Sequence, residues 1–185
     1  MNKDELLNQI RELFAQMESE YETVAGTYNF SCEGCRENCC TIGFQHHTML
    51  EFELLKMGFE SLSEEEREEI CEKSVMSLKE KDAGRNPKCP LLLNDRCRLY
   101  EFRPMICRLH GLPHILLNPA KGTFMGDGCM PFQRKFQQPY EATIDRTPFY
   151  REFAALEKLA REIPEFSIKP KARSVPEMIL EMQVT

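Results

Sequence analysis

The sequence predicts a mainly α-helical, irregular single domain that has cysteine-rich loops and one small hairpin. Apolar residues recur at three- and four-residue steps near both ends of the chain, which is typical of amphipathic helices. All nine cysteines lie between residues 32 and 129. With 185 residues and 42% hydrophobic content, the chain suits one compact domain. We therefore expect residues 1–185 to form a single domain, with a core at 30–130 and helical extensions at 1–26 and 147–185.

Composition argues against several classes of partner. The formal net charge is −6 and the lysines are scattered, whereas binding to a nucleic-acid backbone needs a clustered basic face. No apolar run is long enough to span a bilayer. The charged N-terminus and the odd number of cysteines argue against secretion and a disulfide framework. We therefore predict a reducing, cytoplasmic location, with no nucleic-acid partner and no membrane partner.

The first helix is predicted to end near residue 26. Its apolar face comprises Leu6, Ile10, Leu13, Met17, Tyr21 and Val24. Asn2 followed by Glu5 can cap its N-terminus, and Gly26 with Asn29 ends it. The apolar face is expected to pack on the protein's own core, and docking of a partner protein is the alternative.

Four cysteines lie within the next nine-residue stretch: Cys32, Cys35, Cys39 and Cys40. This density of thiols is not explained by an ordinary hydrophobic core. Two cysteines separated by two residues form the short turn that aims two sulfurs at one ion, as in zinc knuckles and iron–sulfur loops. Because adjacent side chains point in different directions, Cys39 and Cys40 either bind two neighbouring metals, or one of them binds a metal and the other packs in the protein.

Two helices are predicted after this run. Residues 48–51 have capping-box form and open a helix through residue 57, and residues 63–66 open a charged helix that ends near residue 81. The inner face of the second helix is expected to carry Cys71, Val75 and Leu78. Cys71 is in phase with the apolar residues of a regular helix, so we expect it to pack in the core and not to bind metal.

The second cysteine block predicts a hairpin and a short helix. Residues 89–97 are expected to form an apolar strand, a turn at Asn94-Asp95 and a return, which brings the two terminal sulfurs together. Pro104 suits the first turn of a helix that presents Cys107. A hairpin-like loop at residues 118–128 then returns the chain at Cys129.

The sequence does not decide whether three histidines near the cysteines are metal ligands. His46 and His47 are adjacent and diverge, so at most one of them would face a metal. His110 follows Cys107 by three residues, but a glycine and a proline interrupt the helix that would align the two side chains.

Eight thiols are predicted to bind metal, because their segments can bend sulfurs toward a common centre. They are Cys32, Cys35, Cys39, Cys40, Cys89, Cys97, Cys107 and Cys129. Eight ligands make two four-ligand sites or one shared dinuclear site. The cofactor is predicted to be zinc or an iron–sulfur cluster, and it would stabilise loops that have few apolar residues of their own.

The C-terminal region is predicted to be helical scaffold. The stripe of its longer helix, which starts at Thr147-Pro148, consists of Phe149, Phe153, Leu156, Ala160 and Ile163. Residues 174–177 cap a last amphipathic helix. Packing on the protein's own core is expected, and a protein partner bound through the terminal helices is the alternative.

Three segments together resemble the CxxCxxCC cysteine-cluster family, also called YkgJ-like. They are the run from Cys32, the Cys-Pro-x-Leu block that ends at Cys97, and the Cys-x-x-Tyr-x-x-Arg-Pro-x-x-Cys-Arg string that ends at Arg108. The resemblance covers roughly residues 30–130, with one departure: three residues rather than two separate Cys35 from Cys39. It implies chelation of zinc or iron, and family members are often labelled iron–sulfur oxidoreductases without a defined reaction.

Two arginines of this string are predicted to lie beside the cofactor. Four thiolates around Zn²⁺ leave a net charge of about −2, as do four around a [4Fe–4S]²⁺ cluster. A partly buried charge of this size needs compensation. Arg103 and Arg108, in the Arg-Pro and Cys-Arg pairs of the string, are the best candidates.

The sequence thus predicts a metal-binding protein whose cysteine cluster chelates zinc or an iron–sulfur centre. The alternative is an iron–sulfur oxidoreductase or electron carrier. No Ser-His-Asp constellation, nucleotide fingerprint or phosphate loop supplies a reaction, so enzymatic activity is left open.

Overall fold

The computed structural model describes residues 2–35, 37, 39–166 and 169–183. In this part of the chain, seven α-helices make up about half of the residues, which confirms the mainly α-helical prediction. The helices are α1 (Lys3–Thr27), α2 (Met49–Glu60), α3 (Glu64–Asp82), α4 (Met105–Leu109), α5 (Met130–Gln133), α6 (Thr147–Ala160) and α7 (Val175–Met182). The strands are β1 (Leu92–Leu93), β2 (Arg96–Cys97), β3 (Pro113–Asn118), β4 (Gly122–Asp127) and β5 (Ile144–Asp145).

The chain divides into two compact units, and each contains two separate stretches of sequence. The first unit comprises Met1–Cys32 and Arg108–Phe166, and the second comprises Glu33–Cys107 and Ser167–Thr185. The predicted organisation of one domain with a metal-binding core and helical extensions stays a prediction. No helix within the described residues is both long enough and apolar enough to cross a membrane.

In the first unit, α1 packs against α6. The predicted cap of α1 is present, because the Glu5 N–H donates to the Asn2 side chain at 2.9 Å and the Asn2 N–H donates to the Glu5 carboxylate at 3.0 Å. The rings of Phe14 and Phe153 stack with centroids 6.0 Å apart. The predicted apolar stripe of α1 therefore packs inside its own unit.

A three-stranded sheet completes the first unit. Strand β3 pairs antiparallel with β4 along six residues and parallel with the two-residue β5. The hairpin-like loop expected at residues 118–128 is the β3–β4 hairpin. The hairpin predicted at residues 89–97 is present as well, as β1 and β2, whereas β5 was not predicted because two residues are too few to give an alternating pattern.

In the second unit, α3 packs along α7, and α2 contacts α7 as well. The predicted inner face of α3 was partly wrong. Val75 is 40% exposed, whereas Ile70 and Ser74 are fully buried. Small serine side chains permit close packing here, and the Ser74 hydroxyl is satisfied by donating to the Ile70 carbonyl at 2.7 Å. The hydrophobicity of its residues therefore does not by itself determine which face of α3 is buried.

The last helix is buried within the second unit through its apolar face, which consists of Val175, Met178, Ile179 and Met182. The residue before its cap, Arg173, pairs with Glu181 on the helix, with a shortest distance of 2.6 Å. The backbone of Arg173 also forms an antiparallel bridge with His46. The chain after the first cysteine run is therefore anchored to the segment that leads into α7.

Candidate metal centre

Five thiols of the second unit lie together, and we refer to them as the thiol cluster: Cys39, Cys40, Cys89, Cys97 and Cys107. The Cys40 side chain hydrogen-bonds to the side chains of Cys39 and Cys89, and the Cys107 thiol hydrogen-bonds to Cys39. Cys97 lies within electrostatic range of Cys89 and Cys39. Three separate segments of sequence therefore bring their sulfurs into one neighbourhood.

The backbone joins the first two of these segments directly. A short 3-10 helix spans Cys39–Thr41, and the carbonyl oxygen of its second residue, Cys40, accepts a hydrogen bond from the Cys89 N–H at 2.8 Å. Further along, the Asn86 side chain donates to the Thr41 carbonyl at 2.7 Å. The approach of the two cysteine blocks thus includes main-chain hydrogen bonds as well as thiol contacts.

The predicted hairpin positions Cys97. Asn94 and Asp95 have φ angles of 50° and 61°, the left-handed conformation that a tight hairpin turn requires and that Asn and Asp tolerate. Leu92 pairs with Cys97 across the hairpin, and the Leu92 N–H donates to the Cys89 carbonyl at 3.1 Å. The turn therefore returns Cys97 towards Cys89, as the sequence predicted.

Helix α4 positions Cys107, whose N–H donates to the Pro104 carbonyl at 3.0 Å. The segment before it is held by Arg103, whose guanidinium lies 3.6 Å from the centroid of the Tyr100 ring. An Arg103 guanidinium nitrogen also lies 3.5 Å from the Cys107 carbonyl oxygen, at the long limit of a hydrogen bond. Arg103 is therefore beside the thiol cluster.

Crowding of the thiols controls their ionisation. The Cys40 thiol donates hydrogen bonds to Cys39 and Cys89, which raises its pKa, and the hydrogen bond to Cys39 together with burial raises the pKa of Cys107. Burial raises the pKa of Cys97 to about 12, although the positive charge of Arg103 acts in the opposite direction. The hydrogen bond from Cys40 lowers the pKa of Cys89. The hydrogen bond from Cys40 thus favours ionisation at Cys89 over the other cluster thiols, whose ionisation requires additional positive charge in the cluster.

Hydrogen bonds between pairs of thiols are not yet the arrangement of a metal-ligand set. Within the described residues, no group of three or more His, Cys, Asp or Glu side chains has the mutual spacing that a metal ion needs. Ligation at metal–sulfur distances of about 2.3 Å would require the sulfurs to turn towards a common centre and to exchange their protons for the metal. Stabilisation of the fold by metal therefore stays a prediction.

A family model agrees with the cysteine pattern. The model of the CxxCxxCC family, described as "Putative zinc- or iron-chelating domain", matches residues 31–130, which is more than half of the chain. The chain belongs to the CxxCxxCC family. The matched range contains the whole thiol cluster of this family member. No curated protein and no solved structure is significantly similar to the chain.

Two other predicted ligands of this CxxCxxCC protein belong to the first unit. The Cys32 sulfur lies 3.4 Å from the Tyr21 hydroxyl oxygen, and the Cys129 N–H donates to the Gly111 carbonyl at 3.0 Å. Gly111 has a φ of 121°, and a Cβ atom there would lie only 2.8 Å from the Tyr21 hydroxyl. A glycine is therefore required for this close approach. Cys35 is half-buried in the second unit, and the assignment of all eight cysteines as ligands stays a prediction.

The ninth cysteine, Cys71, lies in α3 and is buried. Burial raises the pKa of its thiol, and the charges that act on it are those of Arg67 and Glu68. No cysteine contributes to this shift, in contrast to the members of the thiol cluster. Its environment is that of a packed side chain in a regular helix.

The two arginines predicted to lie beside the cofactor have different surroundings. Arg103 is next to Cys97 and Cys107, as described above. Arg108 is buried in the first unit, where it pairs with Glu18 at 3.1 Å and its guanidinium lies 4.5 Å from the Phe14 ring centroid. The Glu18 carboxylate therefore supplies a counter-charge for Arg108.

The histidines also differ, and one carboxylate near them has a role that sequence reasoning missed. His46 is buried beside Glu51, His47 is exposed, and His110 belongs to the first unit. From the sequence, residues 48–51 cap α2, and the start of this helix is expected to hold Cys39 and Cys40 in place. In the structure, the Glu51 carboxylate also accepts a hydrogen bond from the Met105 N–H, 54 residues along the chain. The sequence contains no local signal for such a distant contact.

Proposed function

We propose that this CxxCxxCC protein binds zinc or iron through the thiol cluster of its second unit. The observation that carries the proposal is the convergence of Cys39, Cys40, Cys89, Cys97 and Cys107 from three separate segments. Ordinary core packing does not explain five neighbouring thiols that hydrogen-bond to or interact electrostatically with one another, because a buried free cysteine usually behaves as a small hydrophobe.

The donor set fits a soft or borderline metal. Thiolate sulfur is the usual ligand of structural Zn²⁺ and of iron–sulfur clusters, and both take four protein ligands. Four of the five cluster thiols would leave a net charge of about −2 in either case. Arg103 lies where its positive charge can offset that charge. Zinc or iron, when bound, would supply the positive charge that lets neighbouring thiols ionise together.

The proposal is chelation, and no reaction is attached to it. The iron–sulfur oxidoreductase or electron carrier stays the alternative from the sequence, and no observation on the described residues favours it. Cys32, Cys35 and Cys129 stay predicted ligands.

Anaerobic purification followed by elemental analysis and a visible spectrum tests the proposal. We expect zinc or iron in near-stoichiometric amount. A colourless sample that contains zinc indicates a zinc site, whereas a brown sample that contains iron indicates an iron–sulfur cluster, because Zn²⁺ is d¹⁰ and has no visible absorption. A variant with Cys39, Cys89 and Cys107 replaced by alanine is the negative control.

The proposal is wrong if the wild-type protein contains no more zinc or iron than this triple variant does, including after reconstitution with either metal. Cys71→Ala is the matched positive control, because it also removes a buried thiol but one that lies outside the thiol cluster. Its metal content should equal that of the wild type.

A further inference from the structure

Glu51 is a buried carboxylate at the N-terminal end of α2 that contacts two other segments of the second unit. It is 4% exposed. Its Oε2 accepts a hydrogen bond from the Thr48 hydroxyl at 2.7 Å, and its Oε1 accepts one from the Met105 N–H at 3.1 Å. Both carboxylate oxygens are therefore engaged. The first contact belongs to the cap of α2, and the second joins α2 to another helix.

The contact with Met105 reaches the helix that carries Cys107. Met105 is the first residue of α4, where backbone N–H groups have no partner inside the helix. A carboxylate at this position satisfies such a donor and interacts favourably with the positive end of the helix. Because α4 has only five residues, its own hydrogen bonds hold it weakly. Glu51 therefore fixes the start of α4, two residues before Cys107.

On its other side, Glu51 faces the segment that follows Cys39 and Cys40. Its Oε1 lies 3.7 Å from His46 Nδ1, and both side chains are almost fully buried. The backbone of His46 is fixed by two hydrogen bonds with Arg173, of 2.7 and 2.8 Å. His46 is thus an anchored point six residues after Cys40, and Glu51 is packed against it.

The carboxylate is also stabilised in its charged form. Burial raises the pKa of Glu51, but the nearby His46 ring and the hydrogen bonds from the Thr48 hydroxyl and the Met105 N–H outweigh burial and leave the pKa below its ordinary value. A charged acceptor forms stronger hydrogen bonds than a neutral one, which favours a fixed geometry.

We propose that Glu51 is a positioning residue for the metal centre. Its carboxylate holds the start of α4 against the segment that follows Cys40, and it thereby sets the distance between Cys107 and the Cys39–Cys40 pair. This inference rests on the proposed function, since it concerns the same thiol cluster. Glu51 touches no thiol in the contacts described above, so its effect on ligation would pass through the backbone.

Two substitutions distinguish the effect of the length of the Glu51 side chain from the effect of its charge. Glu51→Asp keeps the charge but shortens the side chain by one methylene, which withdraws it from Met105. Glu51→Gln keeps the length and one acceptor oxygen but removes the charge. The matched control is Glu53→Asp, which shortens another buried carboxylate on the same helix.

Each full-length variant is titrated anaerobically with Zn²⁺, in competition with a chelator of known affinity, and with Co²⁺ as a spectroscopic probe. We expect Glu51→Asp to weaken Zn²⁺ binding by about 10–100-fold, the usual effect of losing a residue that orients ligands. We also expect lower thiolate-to-cobalt charge-transfer absorption per bound cobalt, because fewer thiolates reach the ion. Glu51→Gln and Glu53→Asp should retain the wild-type cobalt spectrum and most of the affinity.

The cobalt spectrum is the readout that a loss of stability alone would not change, because it reports the ligands of the ions that are bound. Wild-type affinity and spectrum in Glu51→Asp would overturn the inference and leave chelation intact. An equal loss in Glu53→Asp would overturn it as well, because the effect would then follow from shortening any buried carboxylate of α2. Failure of the wild-type protein to bind any metal would refute the proposed function itself.

Discussion

The backbone N–H of Cys89 donates a hydrogen bond to the carbonyl oxygen of Cys40 at 2.8 Å. This bond joins two cysteine blocks that are far apart in the sequence, and closing such a long loop has an entropic cost. A single backbone hydrogen bond contributes only about 1 kcal/mol net. The segments around the thiol cluster therefore depend on other contacts, of which metal–thiolate bonds would be the strongest.

Removal of metal should lower the thermal stability of the second unit. Structural zinc sites contribute about 10–16 kcal/mol of apparent free energy, which is comparable to the whole net stability of a typical domain. We expect a strong chelator to lower the midpoint of thermal unfolding measured by circular dichroism, and added metal to restore it. An unchanged midpoint in a sample that elemental analysis finds free of metal would contradict metal-dependent folding.

Cys71→Ala should leave the metal content unchanged and reduce stability by about 1 kcal/mol, because it removes a buried sulfur outside the thiol cluster. Cys107→Ala and Cys35→Ala should lower the amount of metal bound per chain. Elemental analysis and denaturant titration measure the two effects. Loss of metal in Cys71→Ala, with retention in either of the other variants, would reverse the ligand assignment.

Arg103→Leu should weaken metal binding by about tenfold, because Arg103 supplies positive charge next to Cys97 and Cys107. Arg108→Leu is the matched comparison. It should cost about 1–3 kcal/mol of folding free energy, less than for a fully buried ion pair because Glu18 remains 24% exposed. We expect it to retain the metal, because Glu18 already supplies the counter-charge of Arg108; loss of metal would instead support the sequence prediction that Arg108 lies beside the cofactor. Chelator competition and urea unfolding distinguish these results. Equal affinities in the two variants would argue against a specific role for Arg103.

The pairing of Glu181 with Arg173 should make stability depend on acidic pH. Hydrogen bonds from Arg173 hold the pKa of Glu181 below its ordinary value of 4.5, despite partial burial. The pair therefore stabilises the folded state fully above about pH 4.5, and its contribution is lost as the pH falls through the lower pKa of the folded state.

The test compares the free energy of unfolding of the wild type with that of Glu181→Gln at several pH values. The difference should be about 1 kcal/mol near neutral pH, since the Glu181 side chain is 27% exposed and solvent screens the pair, and it should shrink below pH 4.5. A difference that is constant from pH 7 to the acid limit would show that the pair is not linked to ionisation of Glu181.

The helices were the most predictable part of the fold because their signals are local. Asn2 with Glu5 and Ser63 with Glu66 form the predicted capping boxes, and the bounds of α1 and α3 follow from them. The buried face of α3 was less predictable, because Val75 is more apolar than Ser74 and yet the serine is the one that is buried. Local capping signals determine where a helix begins, whereas tertiary packing determines which of its faces is buried.

As with the helices, the parts of the candidate metal site that depend on local sequence were predictable, and the parts that depend on tertiary packing were not. The turn at Asn94-Asp95 is encoded locally, and it correctly indicated that Cys89 and Cys97 approach each other. The contact of Cys39 with Cys107 depends on tertiary packing, so the sequence could indicate only that both belong to a set of ligands. The hydrogen bond from Met105 to Glu51 had no sequence signal, because a capping residue has the same pattern whether or not it makes a second contact.

The interleaving of the two units has a consequence for biosynthesis. Translation proceeds from the N-terminus, so every thiol of the cluster leaves the ribosome before α7, whose apolar face packs against α3 in the second unit. The second unit is incomplete until α7 has been made, and thiols of an incompletely folded chain are more open to oxidation than thiols of the finished fold. The order of synthesis therefore links the yield of correctly assembled second unit to the redox conditions under which the chain is made.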